Sequence, residues 1–337
     1  MSAILEARGL GRTLPGERPV VLVRDVDLAI EPGAFTTIVG PSGCGKSSLL
    51  YLLGLLDRPS EGELLFEERE MSGLSGDERA QVRLERFGFV RAADDVADHP
   101  TAPPEEKLAL LEQMRASLVG ESDAVAQGTA LRAVLAERGL SPVHALDQLE
   151  AFRRDVTKLR YANWDELIDY CRYSAMPVGR FVLDVHGEPP ALWPANDALC
   201  AALQVINHLQ DCGKDYRELN RVYLPQDALA AAGTGTEALA ADRASPALLG
   251  AIAALARRTS GLLTAARPFA GAIADSRLAL EVDLIQTLAV DLNRLLMTRD
   301  PLSQPVHHSK FDVAGLFVKR LPGFALTRLR RPWTSKP

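Results

Sequence analysis

Two groups of mostly polar side chains, far apart in the sequence, repeat at the spacing of a helix face within otherwise apolar segments. The first group is Phe87, Arg91, Asp94 and Asp98 in RFGFVRAADDVADHP, and the second is Gln204, Asn207, Asp211 and Asp215 in LQVINHLQDCGKD. Residues three or four apart share one side of an α-helix. Carboxylates on two facing helices would hold Mg²⁺, which proteins usually bind through a few carboxylates together with substrate phosphates. The pattern therefore predicts two helices that share a cavity, with a diphosphate as the ligand.

An alternative interpretation is that each group is a solvated helix face, because charged pairs on helices are common. Like charges four residues apart destabilise a helix by roughly a few tenths of a kcal/mol, so stability alone gives little reason to stack them. Asp95 points about a quarter-turn away from this face. We expect it behind the ligands or at the surface.

The composition excludes several classes of protein. The net charge of −6 gives no overall electrostatic case for a nucleic-acid partner, since phosphate binding relies on clustered positive charge. No stretch approaches the ~20 consecutive apolar residues that a membrane span requires. The four cysteines form no closely spaced pair, which is typical of a reducing compartment. We therefore expect a cytoplasmic protein.

A glycine-rich segment near the start of the chain, FTTIVGPSGCGKSSLL, is typical of a phosphate-binding loop. It predicts a strand over 35–39, a turn, and a helix that begins near Lys46. Its backbone N–H groups would surround an anion, while Lys46 reaches the terminal phosphates and Ser47 ligates Mg²⁺. The alternative is a plain strand-to-helix turn. The predicted nucleotide-binding residues are Gly40, Ser42, Gly43, Gly45, Lys46, Ser47 and Ser48.

The first 90 residues resemble the ATPase domain of ABC transporters, especially the lipoprotein-export and macrolide-export type. The resemblance runs from about Ile4 to Val90 and includes VRDVDLAIEPG, GPSGCGKSSLL and GLLDRPSEGEL. The later parts of that domain, a glutamine loop, a signature sequence and a strand ending in acids, do not follow Val90. Residues 1–88 are therefore interpreted as a truncated α/β P-loop fragment. It is not expected to hydrolyse ATP, because phosphoryl transfer also needs a positioned water and an organised metal, whereas residual binding of ATP stays open.

From Phe89 onward the sequence is typical of helices. Asn163 with Glu166 forms a capping-box pattern, and Ser245 places a capping hydroxyl before Pro246, which the first helical position tolerates. The segment GDERAQVRLERFGFVRAADD is compatible with one continuous helix, in which its single inner glycine costs about 1 kcal/mol.

Residues 89–335 resemble the squalene and phytoene synthase family, and within it the hydroxysqualene branch of the bacterial hopanoid pathway. The resemblance is carried by FVRAADDVADHP, FRRDVTKLRYANWDELIDYCRYSAMPVGRFVLDVHGE and LQVINHLQDCGKDYRELNRVYLP, in the family's order and spacing. It implies an all-α isoprenoid (terpenoid) synthase fold with a central cavity and two aspartate motifs on facing helices. Full-length members carry further helices before the first motif, and the transporter-like segment stands in their place here.

The resemblance also implies a reaction, the Mg²⁺-dependent conversion of presqualene diphosphate to hydroxysqualene, with farnesyl diphosphate as a related substrate. The implied catalytic residues are Asp94, Asp98, Asp211, Asp215 and Tyr170. The implied Mg²⁺ ligands are Asp94, Asp98, Asn207, Asp211 and Asp215. The implied diphosphate contacts are Arg91, Gln204, Asn207, Lys214, Arg221 and Tyr223. Tyr170 and Tyr223 would orient the diphosphate or stabilise a carbocation through their π-faces, whereas His208 and Cys212 are expected to be packing residues.

The segment YSAMPVGRF allows two interpretations. Pro177 removes a helical hydrogen bond and is expected to kink its helix, with Gly179 leaving room beside the bend. The cavity wall would then open for a long prenyl chain. The alternative is a close helix-packing site, and the two are compatible.

The last 28 residues hold seven basic side chains and one acid, interleaved with Leu, Phe and Trp333. This pattern favours an interfacial helix on anionic lipid, and hence peripheral contact with the inner face of the membrane. A solvated basic tail is the alternative.

Three interpretations of the whole chain remain open. The preferred one is an isoprenoid synthase whose activity is impaired by the loss of its first helices, because an open active site would admit water to carbocation chemistry. The second is a nucleotide-binding module without hydrolysis. The third is a non-physiological fusion of two truncated genes at GFV.

Overall fold

The structure is a computed structural model that describes residues 3–14, 19–31, 38, 45–55, 57–75, 78, 88–99 and 101–307. The chain divides into two compact units, with the change from the first to the second after Ala92. Each unit has its own hydrophobic core.

The described part of the first unit is a small antiparallel sheet with one helix. Its elements are β1 (Leu5–Leu14), β2 (Val20–Ile30), α1 (Lys46–Leu53), β3 (Glu61–Phe66) and β4 (Arg69–Glu70), with sheet order β2-β1-β3-β4. Leu10 and Leu64 of the sheet and Leu52 of the helix are fully buried in one core. The sheet and helix are thus joined by apolar packing, and the α/β P-loop fragment stays a prediction.

Helix α1 begins at Lys46, as the glycine-rich segment predicts. Gly45 precedes it with φ of 91°, and a Cβ at this position would overlap the carbonyl oxygen of Leu22, so glycine is required there. Of the strand predicted over 35–39, only Ile38 is among the described residues, and it lies outside regular secondary structure.

Helices make up the described part of the second unit, whose first helix begins with four residues that are assigned to the first unit. They are α2 (Phe89–Ala97), α3 (Pro104–Val119), α4 (Ala126–Arg138), α5 (Val143–Thr157), α6 (Trp164–Ser174), α7 (Met176–Val185), α8 (Trp193–Gln210), α9 (Cys212–Leu219), α10 (Gln226–Ala231), α11 (Pro246–Ala266), α12 (Phe269–Ala272) and α13 (Ser276–Leu296), with 3₁₀ segments at Pro190–Leu192 and Thr236–Ala240. Both predicted helix starts are confirmed. Asn163 Oδ1 accepts a hydrogen bond from the Glu166 N–H (3.0 Å), and Ser245 Oγ accepts one from the Leu248 N–H (3.2 Å).

Helix α8 is the central helix of the second unit. It packs against α6, α7, α11 and α13. Ala201, Ala202, Val205, Ile206 and Leu209 are all buried, so the helix is apolar on several sides, as expected for a helix surrounded by others. Helix α8 therefore places the second polar group on a rigid support at its C-terminal end.

The structure corrects two predictions of helix continuity. Gly88 has φ of 52°, a left-handed conformation that interrupts a helix, so α2 begins at Phe89 and does not extend back through the glycine. Pro177 does not kink the middle of a helix. Helix α6 ends at Ser174, and Pro177 lies in the first turn of α7, where its missing N–H is tolerated.

Gly179 mediates close packing of α7 on α8. A Cβ at this position would overlap Asn196 Oδ1 and approach Cys200 Sγ to 2.6 Å. The close-packing interpretation of this segment therefore holds. Among the described helices, none is long and apolar enough to cross a membrane.

Candidate active site

The first aspartate motif lies at the C-terminal end of α2. The helix ends at Ala97, but the Asp98 N–H donates to the Asp94 carbonyl (2.9 Å), which preserves the helical spacing of the two acids. Asp94 is half-buried, whereas the Asp98 side chain is 41% exposed. Asp98 Oδ1 accepts a hydrogen bond from Arg221 Nη1 at 2.7 Å. One acid of the motif is thus held by a cation from a distant part of the chain.

The second polar group lies where α8 gives way to α9. Asp211 sits between the two helices with φ of −98° and ψ of 7°, so the predicted single helix is interrupted there. The Asp211 N–H donates to the Asn207 carbonyl and the Asp215 N–H to the Asp211 carbonyl, both at 2.9 Å. These hydrogen bonds keep the three side chains in helical succession across the break. Asn207 is exposed, and the two acids are half-buried.

The charges of the two motifs influence each other. Burial, followed by the negative charge of Asp211, raises the pKa of Asp215 to about 6. Asp98 of the first motif adds to the rise, while Lys214 and Arg221 oppose it. Carboxylates gathered in this way favour a bound cation.

The described residues contain no ready-formed group of three or more His, Cys, Asp or Glu side chains that could hold a metal ion by themselves. The donor set still suits Mg²⁺, a hard cation that usually keeps several waters and binds through one or two carboxylates plus substrate phosphates. Such an ion would complete its coordination with the substrate.

A buried aspartate that the sequence reasoning missed, Asp155 of α5, lies next to this motif. Its Oδ2 accepts a hydrogen bond from the Tyr170 hydroxyl (2.9 Å), and its Oδ1 accepts one from the Tyr223 hydroxyl (3.0 Å). Its main-chain carbonyl accepts a hydrogen bond from Arg221 Nε (3.3 Å). Burial raises the pKa of Asp155 to about 6, and the positive charge of Arg221 opposes that rise. Arg221 therefore connects Asp155 to Asp98.

The two tyrosines belong to a buried aromatic cluster. The Tyr170 and Tyr223 ring centroids are 5.3 Å apart, and Tyr161 lies 5.4 Å and 5.6 Å from them. His208 stacks on Tyr223 at 3.6 Å, and its Nε2 lies 3.0 Å from Gln204 Nε2. Burial lowers the pKa of His208 to about 3, so the imidazole is neutral and packs against the cluster, as predicted.

A cavity of about 180 Å³ lies beside these groups. Asp98, Asp155 and Arg221 all line it, together with Lys107 and Glu218. Lys107 Nζ donates to the carbonyl oxygen of Ala97 at the end of α2 (3.0 Å). The site is therefore open to a small polar ligand at the position where Asp98 and Arg221 meet.

The remaining predicted residues fall in two places. Lys214 is exposed on α9, and Arg91 is exposed on α2 in the first unit, one turn before Asp94. Among the predicted nucleotide-binding residues, Gly40, Ser42 and Gly43 lie outside the described residues, whereas Gly45, Lys46, Ser47 and Ser48 span the start of α1.

A sequence signal for Asp155 does exist. Gln148, Ala151 and Asp155 are spaced by three and four residues and all are buried, so the acid lies on the buried stripe of its helix. Acids are almost never fully buried unless they are paired. An acid in register with the buried face of its helix is therefore a signal for a site residue.

The model of the squalene/phytoene synthase family matches residues 87–312, which include both aspartate motifs, Asp155 and the tyrosines. The chain belongs to this family. A hydroxysqualene synthase from Rhodopseudomonas palustris is 58% identical over 221 residues, covering 66% of this chain and 76% of the relative. The crystal structure of squalene synthase HpnC from Alicyclobacillus acidocaldarius is 29% identical, covers 70% of this chain and 81% of that one, and superposes with a TM-score of 0.53. The predicted all-α isoprenoid synthase fold and the squalene/phytoene synthase type of enzyme are confirmed.

The beginning of the chain is similar to a different protein. A macrolide export ATP-binding/permease protein from Rhodopseudomonas palustris is 49% identical over 87 residues. The match covers 26% of this chain and 13% of that protein. A small part of a transporter protein therefore accounts for the similarity.

Proposed function

We propose that this enzyme converts presqualene diphosphate to hydroxysqualene with Mg²⁺. The proposal is carried by the 58% identity to a hydroxysqualene synthase over 221 residues, together with the family match over residues 87–312, which include both aspartate motifs. Farnesyl diphosphate is the related substrate to compare with it. The synthase domain is assigned to residues 89–335.

The polar residues at the mouth of the site would bind the diphosphate. The Mg²⁺ ligands in this proposal are Asp94, Asp98, Asn207, Asp211 and Asp215. Held by these residues, Mg²⁺ would supply positive charge to offset the negative charge on the leaving diphosphate. Arg221 adds a charge-assisted contact from its position against Asp98, and Gln204, Lys214 and Arg91 are assigned further polar contacts.

The aromatic cluster would hold the carbon skeleton after the diphosphate leaves. The C–O bond breaks with both electrons on the diphosphate, and the rearranged cation is captured by water, which forms the C–OH bond and releases one proton. Tyr170 and Tyr223 have buried rings whose π-faces attract a cation. Their hydroxyls are both engaged with Asp155, so the rings are held in one arrangement.

The test is incubation of the purified full chain with Mg²⁺ and presqualene diphosphate, followed by lipid extraction and mass analysis. Asp211→Ala should abolish hydroxysqualene. Asp165→Ala is the matched control, because this aspartate is exposed on α6, where its carboxylate lies 3.7 Å from Arg258 Nη2. Hydroxysqualene formed by the parent and the control, but not by Asp211→Ala, supports the proposal. A folded parent that yields no product from either diphosphate contradicts it.

A second function is proposed for residues 1–88, namely ATP binding without hydrolysis by a transporter-derived fragment. It is favoured by the 49% identity and by the start of α1 at Lys46 after a left-handed glycine. The chain would then be a fusion of two truncated proteins. Equilibrium dialysis with ATP and Mg²⁺ tests this, and binding that Lys46→Ala fails to weaken would contradict it.

Localisation is a further part of the proposal. We assign the enzyme to the cytoplasm, at the inner face of the membrane, because residues 310–337 combine basic and apolar side chains. This segment lies outside the described residues. Sedimentation with anionic vesicles should be lost when it is removed, and unchanged sedimentation would contradict the assignment.

A further inference from the structure

Asp155 lies outside both aspartate motifs but makes three hydrogen bonds within the site. Both of its carboxylate oxygens accept hydrogen bonds from tyrosine hydroxyls, and its main chain accepts one from Arg221. We propose that Asp155 is a positioning residue, whose carboxylate fixes the hydroxyls of Tyr170 and Tyr223 and thereby determines what becomes of the carbocation. This inference rests on the proposed function and assigns a specific role within it.

Burial and hydrogen bonding restrict the orientation of each phenol. The side chains of Tyr170 and Tyr223 are 3% and 7% exposed, and each hydroxyl hydrogen is directed at a separate oxygen of the same carboxylate. The phenol lone pairs are therefore directed away from Asp155. A hydrogen bond to a carboxylate also polarises the phenol and makes its oxygen more negative. Both effects favour a cation beside the tyrosines.

The arrangement is costly for stability, which argues for a functional reason. A carboxylate that is 8% exposed must give up its hydration, and replacing such buried polar groups by apolar ones of similar size is often neutral or stabilising. The raised pKa of Asp155 reflects this penalty. Tyr161 in the same cluster has a buried hydroxyl that finds no hydrogen-bond partner among the described residues, so a tyrosine packs here without a carboxylate.

Asp155 also connects the aromatic cluster to the first aspartate motif. Arg221 donates through Nε to the Asp155 carbonyl and through Nη1 to Asp98. The guanidinium is therefore oriented at both ends. Movement of Asp98 on diphosphate binding would therefore be transmitted through Arg221 to Asp155, whose carboxylate bonds to both tyrosines.

The test uses Asp155→Asn, which keeps the size of the side chain but removes its charge and one acceptor oxygen. Near-ultraviolet absorption of the tyrosines is measured in the free protein. With presqualene diphosphate, kcat and KM for hydroxysqualene formation and the share of hydroxysqualene among the products are measured. The absorption spectrum should shift, kcat should fall about 10- to 100-fold with KM changed less than about threefold, and the hydroxysqualene share should fall. In a Tyr170→Phe/Tyr223→Phe background, Asp155→Asn should cause no further loss.

Asp197→Asn is the matched control, because this carboxylate is largely buried and accepts hydrogen bonds, here from Arg180, but lies outside the cluster. It should keep the parent spectrum and product share. A folded Asp155→Asn protein with the spectrum and the products of the parent overturns the inference. The inference is also overturned if Asp155→Asn lowers kcat as strongly in the Tyr170→Phe/Tyr223→Phe variant as in the parent. If Asp155→Asn does not fold, the double phenylalanine variant must itself lower the hydroxysqualene share.

Failure of the proposed function gives a different result. If the parent protein is inactive on both diphosphates, the proposed reaction is wrong. The absorption measurement still tests the role of Asp155, because it needs no turnover. An unshifted spectrum in Asp155→Asn would then overturn the positioning role on its own.

Discussion

The polar mouth of the site and its buried aromatic centre use the same residue type, aspartate, in two different ways. At the mouth, Asp98 is 41% exposed and Asp211 and Asp215 are half-buried, so their charges are accessible to a ligand. At the centre, Asp155 is 8% exposed, and its carboxylate is occupied by two phenols. The acids at the mouth are therefore accessible to a charged ligand, whereas the buried acid at the centre holds neighbouring side chains in place.

This difference suggests a division of labour. In the proposed reaction, loss of the diphosphate generates negative charge, which suits an arginine and a group of acids that would hold Mg²⁺. Capture of the cation requires a fixed, largely dry surface, which suits stacked rings with fixed hydroxyls. Arg221 contacts both regions and is the one residue expected to affect both steps.

The largest effect is expected at the mouth. Asp211→Asn, or removal of Mg²⁺ by EDTA, should lower pyrophosphate release and hydroxysqualene formation together, by more than about 100-fold, because the leaving group loses its charge stabilisation. Steady-state assays of both products check this. Release of pyrophosphate at the parent rate by Asp211→Asn would contradict a role of the mouth in diphosphate departure.

An intermediate effect on activity is expected at Arg221, which connects the mouth to the centre. Arg221→Gln should lower kcat/KM about 10- to 100-fold, because it removes a charge-assisted contact to Asp98 and to the ligand. Arg221→Lys should recover only part of this loss, since one ammonium group cannot replace two guanidinium contacts in different directions. Full recovery by lysine would show that charge alone matters at this position.

A smaller effect on rate, with a larger effect on products, is expected at the centre. Tyr170→Phe keeps the ring but loses the hydrogen bond to Asp155, so kcat should fall about tenfold or less. The hydroxysqualene share should fall, while KM stays within about twofold of the parent. Mass analysis of extracted products measures the share, and an unchanged share would contradict a role of the hydroxyl in cation capture.

The smallest effect concerns stability and pH. The pKa of Asp155 is about 6 in the folded protein, above its ordinary value of 3.8. The folded state therefore binds more protons than the unfolded state between these pH values, and the contribution of this group to the free energy of unfolding falls as pH rises from about 4 to about 6. Asp155→Asn lacks this decline. Urea unfolding of the two proteins across this range should give different slopes against pH, and parallel slopes would contradict the burial of a carboxylate.

The sequence indicated the mouth better than the centre. The spacing of Asp94 and Asp98, and of Asn207, Asp211 and Asp215, follows from helical periodicity alone, and the structure keeps both spacings by local hydrogen bonds. The caps at Asn163 and Ser245 are local as well. These features depend on neighbours within a few residues, which a sequence displays directly.

The remaining features depend on contacts between distant segments. The carboxylate of Asp155 meets Tyr223 across 68 residues, and Arg221 meets Asp98 across 123 residues. No periodicity encodes these pairings. The left-handed conformation of Gly88 was also missed, because a glycine inside a helical pattern is tolerated at modest cost and need not end the helix.

The most direct test of the division of labour is a count of pyrophosphate released per hydroxysqualene formed by the Tyr170→Phe/Tyr223→Phe variant with presqualene diphosphate and Mg²⁺. Pyrophosphate release should continue near the parent rate while hydroxysqualene formation falls. The ratio of pyrophosphate to hydroxysqualene should then rise well above one, and other isoprenoid products should appear. A ratio that stays at one, with both products reduced together, would contradict the account and place the tyrosines in diphosphate release.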